Sequence, residues 1–312
     1  MSIDYFGLVK KSLRIAWEYK FLWLFGFFVV AADGSGGMAS HISNLSGIDT
    51  RSSFFSDFDF DPSYIAPGVI IMVVLALLFM ALLFWIMSVL SEGALIHGIL
   101  KKESGGSASF SECWSRGVDK FWSVFGVLLL ATIAAVTVVI GIILFLIPAF
   151  IASVALGIIL VIVALPVILA VIFIVEALLA WSIRLIVIDD KPWFDSIGDS
   201  WKMIRQHFGK TFGIAFSSVL TQLVIGIIFF LSLLVVAIPF VIIGIQSPLL
   251  GIIPGIITAI VLIAFLSAYE GVFRSTIWTL AYMQLTGRDI SLGNTVPGGD
   301  LPAPDPSDGS GI

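Results

Sequence analysis

From Trp122 to Ile188 the chain runs 67 residues with only two charged side chains, Glu176 and Arg184. A run of about 20 apolar residues is enough to cross a bilayer as a helix. This one is far too long to be a core helix of a water-soluble domain, and similar runs occur elsewhere. Charged residues make up 12% of the chain, about half the share of an ordinary soluble protein. Only 1–20, 33–66, 101–121, 189–211 and 287–312 are polar stretches of any size. The fold class is therefore all-α, a polytopic membrane protein. Six spans fit best, over about 17–32, 67–100, 121–146, 151–188, 212–245 and 252–285. Short turns at LIPAF (146–150) and QSPLLG (246–251) join the third to the fourth and the fifth to the sixth. Pro166 and Pro239 are candidate kinks.

Basic residues orient these spans. Of the 16 lysines and arginines, all but Arg51 fall on one side of the six-span model. By the positive-inside rule that side is the cytoplasm. Both termini then lie on the cytoplasmic side, and 33–66 lies outside. Trp17, Trp23, Trp114, Trp122, Trp193 and Trp201 crowd the same inner boundary, where indoles favour the headgroup layer. A secretory signal competes for the first apolar run, since Lys10, Lys11, Arg14 and Lys20 precede FLWLFGFFVV. The same junction recurs twice inside the chain, where no signal can sit, so the run reads as a span.

That recurrence is a repeat. FLWLFG (21–26), FWSVFG (121–126) and FGKTFG (208–213) are each Phe-x-x-x-Phe-Gly. With 26 Phe and 29 Gly in 312 residues, independent placement gives roughly 0.2 such matches. Each copy follows a basic segment and opens an odd-numbered span. Trp114 and Trp201 both stand 12 residues before the glycine of their copy. The even-numbered spans echo one another in SEGALIH (91–97), VEALLAWSIR (175–184) and YEGVFRSTIW (269–278), each with a glutamate deep in apolar sequence. Three tandem hairpin units follow, at about 1–103, 104–190 and 191–290. Segments 4–21, 109–122 and 193–208 open them, with apolar residues at helical spacing and basic residues between, the pattern of helices lying in the membrane interface. The residues placed to meet lipid headgroups, anionic ones included, are Lys10, Lys11, Arg14, Arg116, Lys120, Lys202, Arg205 and Lys210.

Ionisable side chains inside spans are costly and mark function or pairing. Glu92, Glu176 and Glu270 are the candidates, with His97, Arg184 and Arg274 as neighbours in sequence. Glu270 and Arg274 stand one helical turn apart and suit an ion pair. Glu176 has Arg184 two turns on as one partner, or an arginine of another unit. A pseudo-threefold bundle would gather the three glutamates at its cytoplasmic end. Two readings stay open: ion pairs that join the units, or a carboxylate vestibule for a cation, a proton or a headgroup.

Nothing in the sequence marks an enzyme, a metal centre, a cofactor or a nucleic-acid partner. His41, His97 and His207 are scattered, the lone Cys113 sits in a cytoplasmic segment, and the alternating carboxylates DFDFD (57–61) lack the rest of a calcium loop. The tail 291–312 reads as disordered. GIIPG (251–255) has a helix-packing spacing but straddles a turn.

The segment WSIRLIVIDDKPWFDSIGDSWKMIRQHFGKTFG (181–213) resembles a prokaryotic membrane-domain superfamily. That superfamily is named after the membrane part of glycerophosphoryl diester phosphodiesterase. The likeness extends over most of 1–290, with 181–213 its distinctive part. In those enzymes catalysis resides in a separate soluble barrel, and no segment outside the spans here is long enough to form one. The resemblance therefore implies membrane topology, not phosphodiesterase activity. The expected role is non-enzymatic and envelope related, a scaffold or lipid-interacting protein; the rival is a transporter or channel that uses the inner-leaflet glutamates.

Overall fold

Every element of the computed structural model, which describes residues 4–32, 67–106 and 108–287, is an α-helix. In chain order they are α1 (Tyr5–Glu18), α2 (Leu22–Ala32), α3 (Pro67–Glu103), α4 (Phe110–Ala152), α5 (Val154–Ile188), α6 (Trp193–Gln206), α7 (Phe208–Gln246) and α8 (Pro248–Leu285). Helices α3, α4, α5, α7 and α8 are long and apolar enough to cross a membrane, and α2 is a shorter apolar helix. The protein is a polytopic helical membrane protein. The loop 33–66, with Arg51, His41 and DFDFD, lies outside the described residues, as do Arg288 and the tail 291–312.

The second helices of the three hairpins, α3, α5 and α8, meet one another at the centre. Helix α2 packs between α3 and α8, and α4 between α3 and α5. Helix α7 packs on α8 and touches α5 only lightly. The leading segments follow the same cycle. Helix α1 of the first unit docks on α8 and α7 of the third, and α6 of the third docks on α5 and α4 of the second. The opening turns of α4 dock on α3 of the first unit, where Gly117 lies over the Leu90 carbonyl and Ala94. Each leading segment thus packs on the unit before it, as a pseudo-threefold arrangement requires.

One register serves all three segments. Counted from the first aromatic (Tyr5, Phe110, Trp193), the residues three and seven positions on are buried: Leu8, Cys113 and Ser196, then Ser12, Gly117 and Ser200. Small side chains at the second of these positions let the segment lie close on the helix beneath. The buried core concentrates at this end of the bundle, at 8–30, 89–99, 177–187 and 267–283. The far halves of the long helices, such as Ile71–Leu83, expose apolar side chains, as lipid-facing surfaces do.

Three expected boundaries shift. The first span, expected from Trp17, begins at Leu22, because the chain breaks at Tyr19–Phe21. Helix α1 is amphipathic and α2 is apolar all round, so the chain must turn between them. The Trp23 indole crosses the break and donates to the Ala16 carbonyl at 2.6 Å. The second leading segment does not form a helix of its own, since α4 runs unbroken from Phe110 to Ala152. The Phe-x-x-x-Phe-Gly copies therefore lie at a break in units one and three and inside a helix in unit two. The absent break also undoes the Trp114–Trp201 match, for counted from their helix starts these residues sit a turn apart. Finally, the turn expected at 146–150 lies at Ser153, in extended backbone (φ −166°, ψ 133°), with Pro148 inside α4. Its counterpart at Ser247 falls within the expected segment. There GIIPG does pack: a Cβ on Gly251 would lie 2.4 Å from the Gly244 Cα, and one on Gly255 3.3 Å from the Phe240 Cβ.

Candidate functional site

Glu92, Glu176 and Glu270 occupy matching places on the three central helices. The residue after each, Gly93, Ala177 or Gly271, is small and buried. Gly93 faces the Gly117 backbone and Gly271 faces the Gly26 carbonyl, so in α3 and α8 the glutamate stands beside a tight backbone contact. Glu92 and Glu176 line one cavity of about 90 Å³, together with Ser88, Arg184, Arg274 and Ser275. Glu270 is not among its lining residues, though Arg274, one turn on, is. The cavity thus takes in two of the three expected glutamates.

Arg184 holds the cluster together. It is 3% exposed. Its Nη1 donates to the Ala180 carbonyl at 2.9 Å. Its Nη2 donates to the Ser275 carbonyl at 3.2 Å and to the Ser275 hydroxyl at 3.4 Å. It also forms an ion pair with Glu92 at 3.6 Å. One guanidinium of the second unit therefore bonds the third and pairs with the first. Glu176, expected as a partner from its own helix, shares the cavity instead. A buried charge is tolerable only when hydrogen-bonded and paired, and backbone carbonyls supply much of that here. His97 stands apart from the cluster, among Arg116, Glu112 and Lys101.

The eight basic residues expected at headgroups divide in two. Lys10, Arg14, Lys202 and Arg205 are exposed. Lys11 pairs with Glu103 at 2.5 Å, and Arg116 and Lys120 both pair with Asp190, at 2.6 and 2.5 Å. Lys210 is half-buried. Lys202 also reaches Asp199, at 3.1 Å. Beside the exposed bases stand exposed aromatics: Phe6 at 80%, Trp122 at 75% and Phe194 at 71%, with Trp17 and Trp201. Cys113 is buried, against Gly98.

The pair Asp189-Asp190 went unassigned in the sequence, although two acids directly after an apolar run, with Arg116, Lys120 and Lys191 on the same side, are a visible signal. Tyr282 of α8 donates to Asp189 at 2.6 Å. Asp190 adopts a left-handed backbone (φ 55°) and takes Lys120 and Arg116 of α4. Those two cations, Lys120 first, hold its carboxyl below the usual carboxylate range. Lys191 and then Lys202 do the same for Asp199. The distinctive strip 181–213 is therefore a junction. It carries Arg184, the two aspartates, and the Ser182 hydroxyl that meets Ser200 of α6 at 2.9 Å.

Four hydroxyls within the long spans are spent locally. Thr132, Thr137, Thr221 and Ser232 each donate to the carbonyl four residues back at 2.8 Å, which leaves them little capacity to converge on a solute. Among the described residues no group of three His, Cys, Asp or Glu is placed to hold a metal ion. No curated protein and no solved structure matches the chain. One family model does, across residues 16–285, a stretch that takes in α2 through α8 and the whole central cluster. The chain belongs to this family, described as a family of unknown function (DUF7544).

Proposed function

We propose that this is a non-enzymatic scaffold of a prokaryotic cytoplasmic membrane, with both termini inside, that holds anionic lipid headgroups against the basic end of its bundle. The observation that carries this reading is the exposed face of α1 and α6. Lys10, Arg14, Lys202 and Arg205 point outward there beside Phe6, Trp17, Phe194 and Trp201. Aromatics seat a helix at the acyl boundary, and bases on the same helix meet phosphates. Each basic residue near an anionic surface contributes about 1 kcal/mol.

The test is thermal unfolding in nanodiscs of zwitterionic lipid, with and without anionic lipid. The parent is expected to gain stability from the anionic lipid. The combined variant Lys10→Gln, Arg14→Gln, Lys202→Gln and Arg205→Gln is expected to lose most of that gain, and salt to weaken it. A parent indifferent to anionic lipid, or a variant that keeps the full gain, sinks the reading.

A further inference from the structure

The central cavity offers a donor with nothing to receive it. Arg184 is almost wholly buried and lines the cavity. Its Nη groups reach the Ala180 and Ser275 oxygens, while its Nε is buried without a hydrogen-bond partner. Glu92, at 3.6 Å, is too far for a hydrogen bond. A guanidinium has five donors in a rigid fork that matches an oxyanion, and a buried donor left unmet is a standing cost. A second guanidinium, Arg274, lines the same cavity. On the measure by which one water needs about 10–15 Å³, about 90 Å³ holds several waters or one small polar group. Glu176 both lines the cavity and is exposed.

We infer that the cavity is a binding site for a phosphate oxyanion, received by Arg184 and Arg274, with Ser88 and Ser275 as further polar contacts. The unmet group is a donor, so the ligand must bring an acceptor, and Arg184 and Arg274 offset the charge of Glu92 and Glu176 in the same lining. Two guanidiniums line this one small space, and among oxyanions phosphate pairs with a guanidinium bidentately. The phosphate arrives either on a lipid headgroup or as free phosphate or a soluble ester. This site lies inside the bundle and does not depend on the headgroup-holding face of α1 and α6. It gives the three-unit junction a ligand as well as a structural role.

The experiment uses the full chain in a phosphate-free detergent, with two readouts: unfolding temperature against inorganic phosphate, and native mass spectrometry for retained phospholipid. Arg184→Lys keeps the charge but removes the fork. Ser88→Leu fills the cavity and leaves both arginines in place, so it serves if Arg184→Lys misfolds. If free phosphate is the source, phosphate raises the parent's unfolding temperature, and its apparent affinity falls about tenfold or more in the variants. If a headgroup is the source, phosphate alone does little, but about one phospholipid per chain stays with the parent and leaves with Ser88→Leu. A parent that neither responds to phosphate nor retains a phospholipid overturns the site, and the cavity then holds water only. A response that Ser88→Leu preserves in full overturns it too. Ser88→Leu leaves Lys10, Arg14, Lys202 and Arg205 untouched, so lipid or phosphate held on that face survives the substitution, and this site and the headgroup-holding face can fail separately.

Discussion

A methyl group has no room at Gly26. Built there, its carbon would lie 2.3 Å from the Ala268 carbonyl oxygen, and one on Gly271 would lie 2.2 Å from the Gly26 carbonyl oxygen. The two glycines bring the backbones of α2 and α8 into contact. Close approach through small residues is a main source of helix association in lipid, where burial of apolar surface brings little. We predict that Gly26→Ala and Gly271→Ala each destabilise by about 1–3 kcal/mol, the cost of overpacking. Gly226→Ala, where nothing lies within 4 Å, should be neutral or mildly stabilising. Unfolding midpoints in detergent compare the three, and equal midpoints would remove the backbone contact from the account. At this scale the three glutamates and Arg184 stood out in the sequence, because a charge in a span is conspicuous. The Glu92–Arg184 pairing did not, since Arg184 has an equally plausible carboxylate on its own helix and only the packing of three units chooses between them.

At the scale of elements, α5 is tied to its neighbours just past its end. Asp190 binds Lys120 and Arg116 of α4, and Asp189 accepts from Tyr282 of α8. A carboxyl whose pKa is depressed in the fold contributes stability that is present above its unfolded pKa, near 3.8. That contribution is lost as pH falls through the lower folded value. Asp190 is exposed, so the contribution is small. We predict that Asp190→Asn, which tolerates the left-handed backbone, lowers stability slightly at neutral pH and flattens the acid limb below about pH 4. Unfolding midpoints from pH 3 to 7 test it, and an acid limb unchanged from the parent would show that Asp190 is not a source of it. Element types were legible from apolar run length and helical spacing. Element ends were less so. The continuity of α4 across the second Phe-x-x-x-Phe-Gly phrase turns on a four-residue difference: Gly126 stands 16 residues after Phe110, while Gly213 stands 20 after Trp193. The shorter spacing runs on as one helix of 43 residues, about 65 Å long, more than twice a bilayer core.

For the whole molecule, orientation is the open quantity that cysteine labelling can decide. Cys113 is buried and is a poor reporter. Exposed Ser115 and Gln206 sit at the basic end, on α4 and α6. We predict that Ser115→Cys and Gln206→Cys react with a membrane-impermeant thiol reagent only from the cytoplasmic side, as the distribution of lysine and arginine requires. Reaction from outside in intact cells would invert the assignment. The sequence by itself determined that the chain is helical, crosses a membrane repeatedly and is built from three related units. These are properties of composition and periodicity, and they survive any local error in packing. Tertiary structure alone decided that each leading segment docks on the preceding unit and that Glu92 and Glu176 share a cavity that Glu270 does not line. It also placed one arginine at the meeting point of all three units. Those outcomes depend on distances between helices far apart in the chain, which three hairpins of similar pattern leave undetermined until small residues such as Gly26, Gly117 and Ser200 fix how closely the backbones can approach.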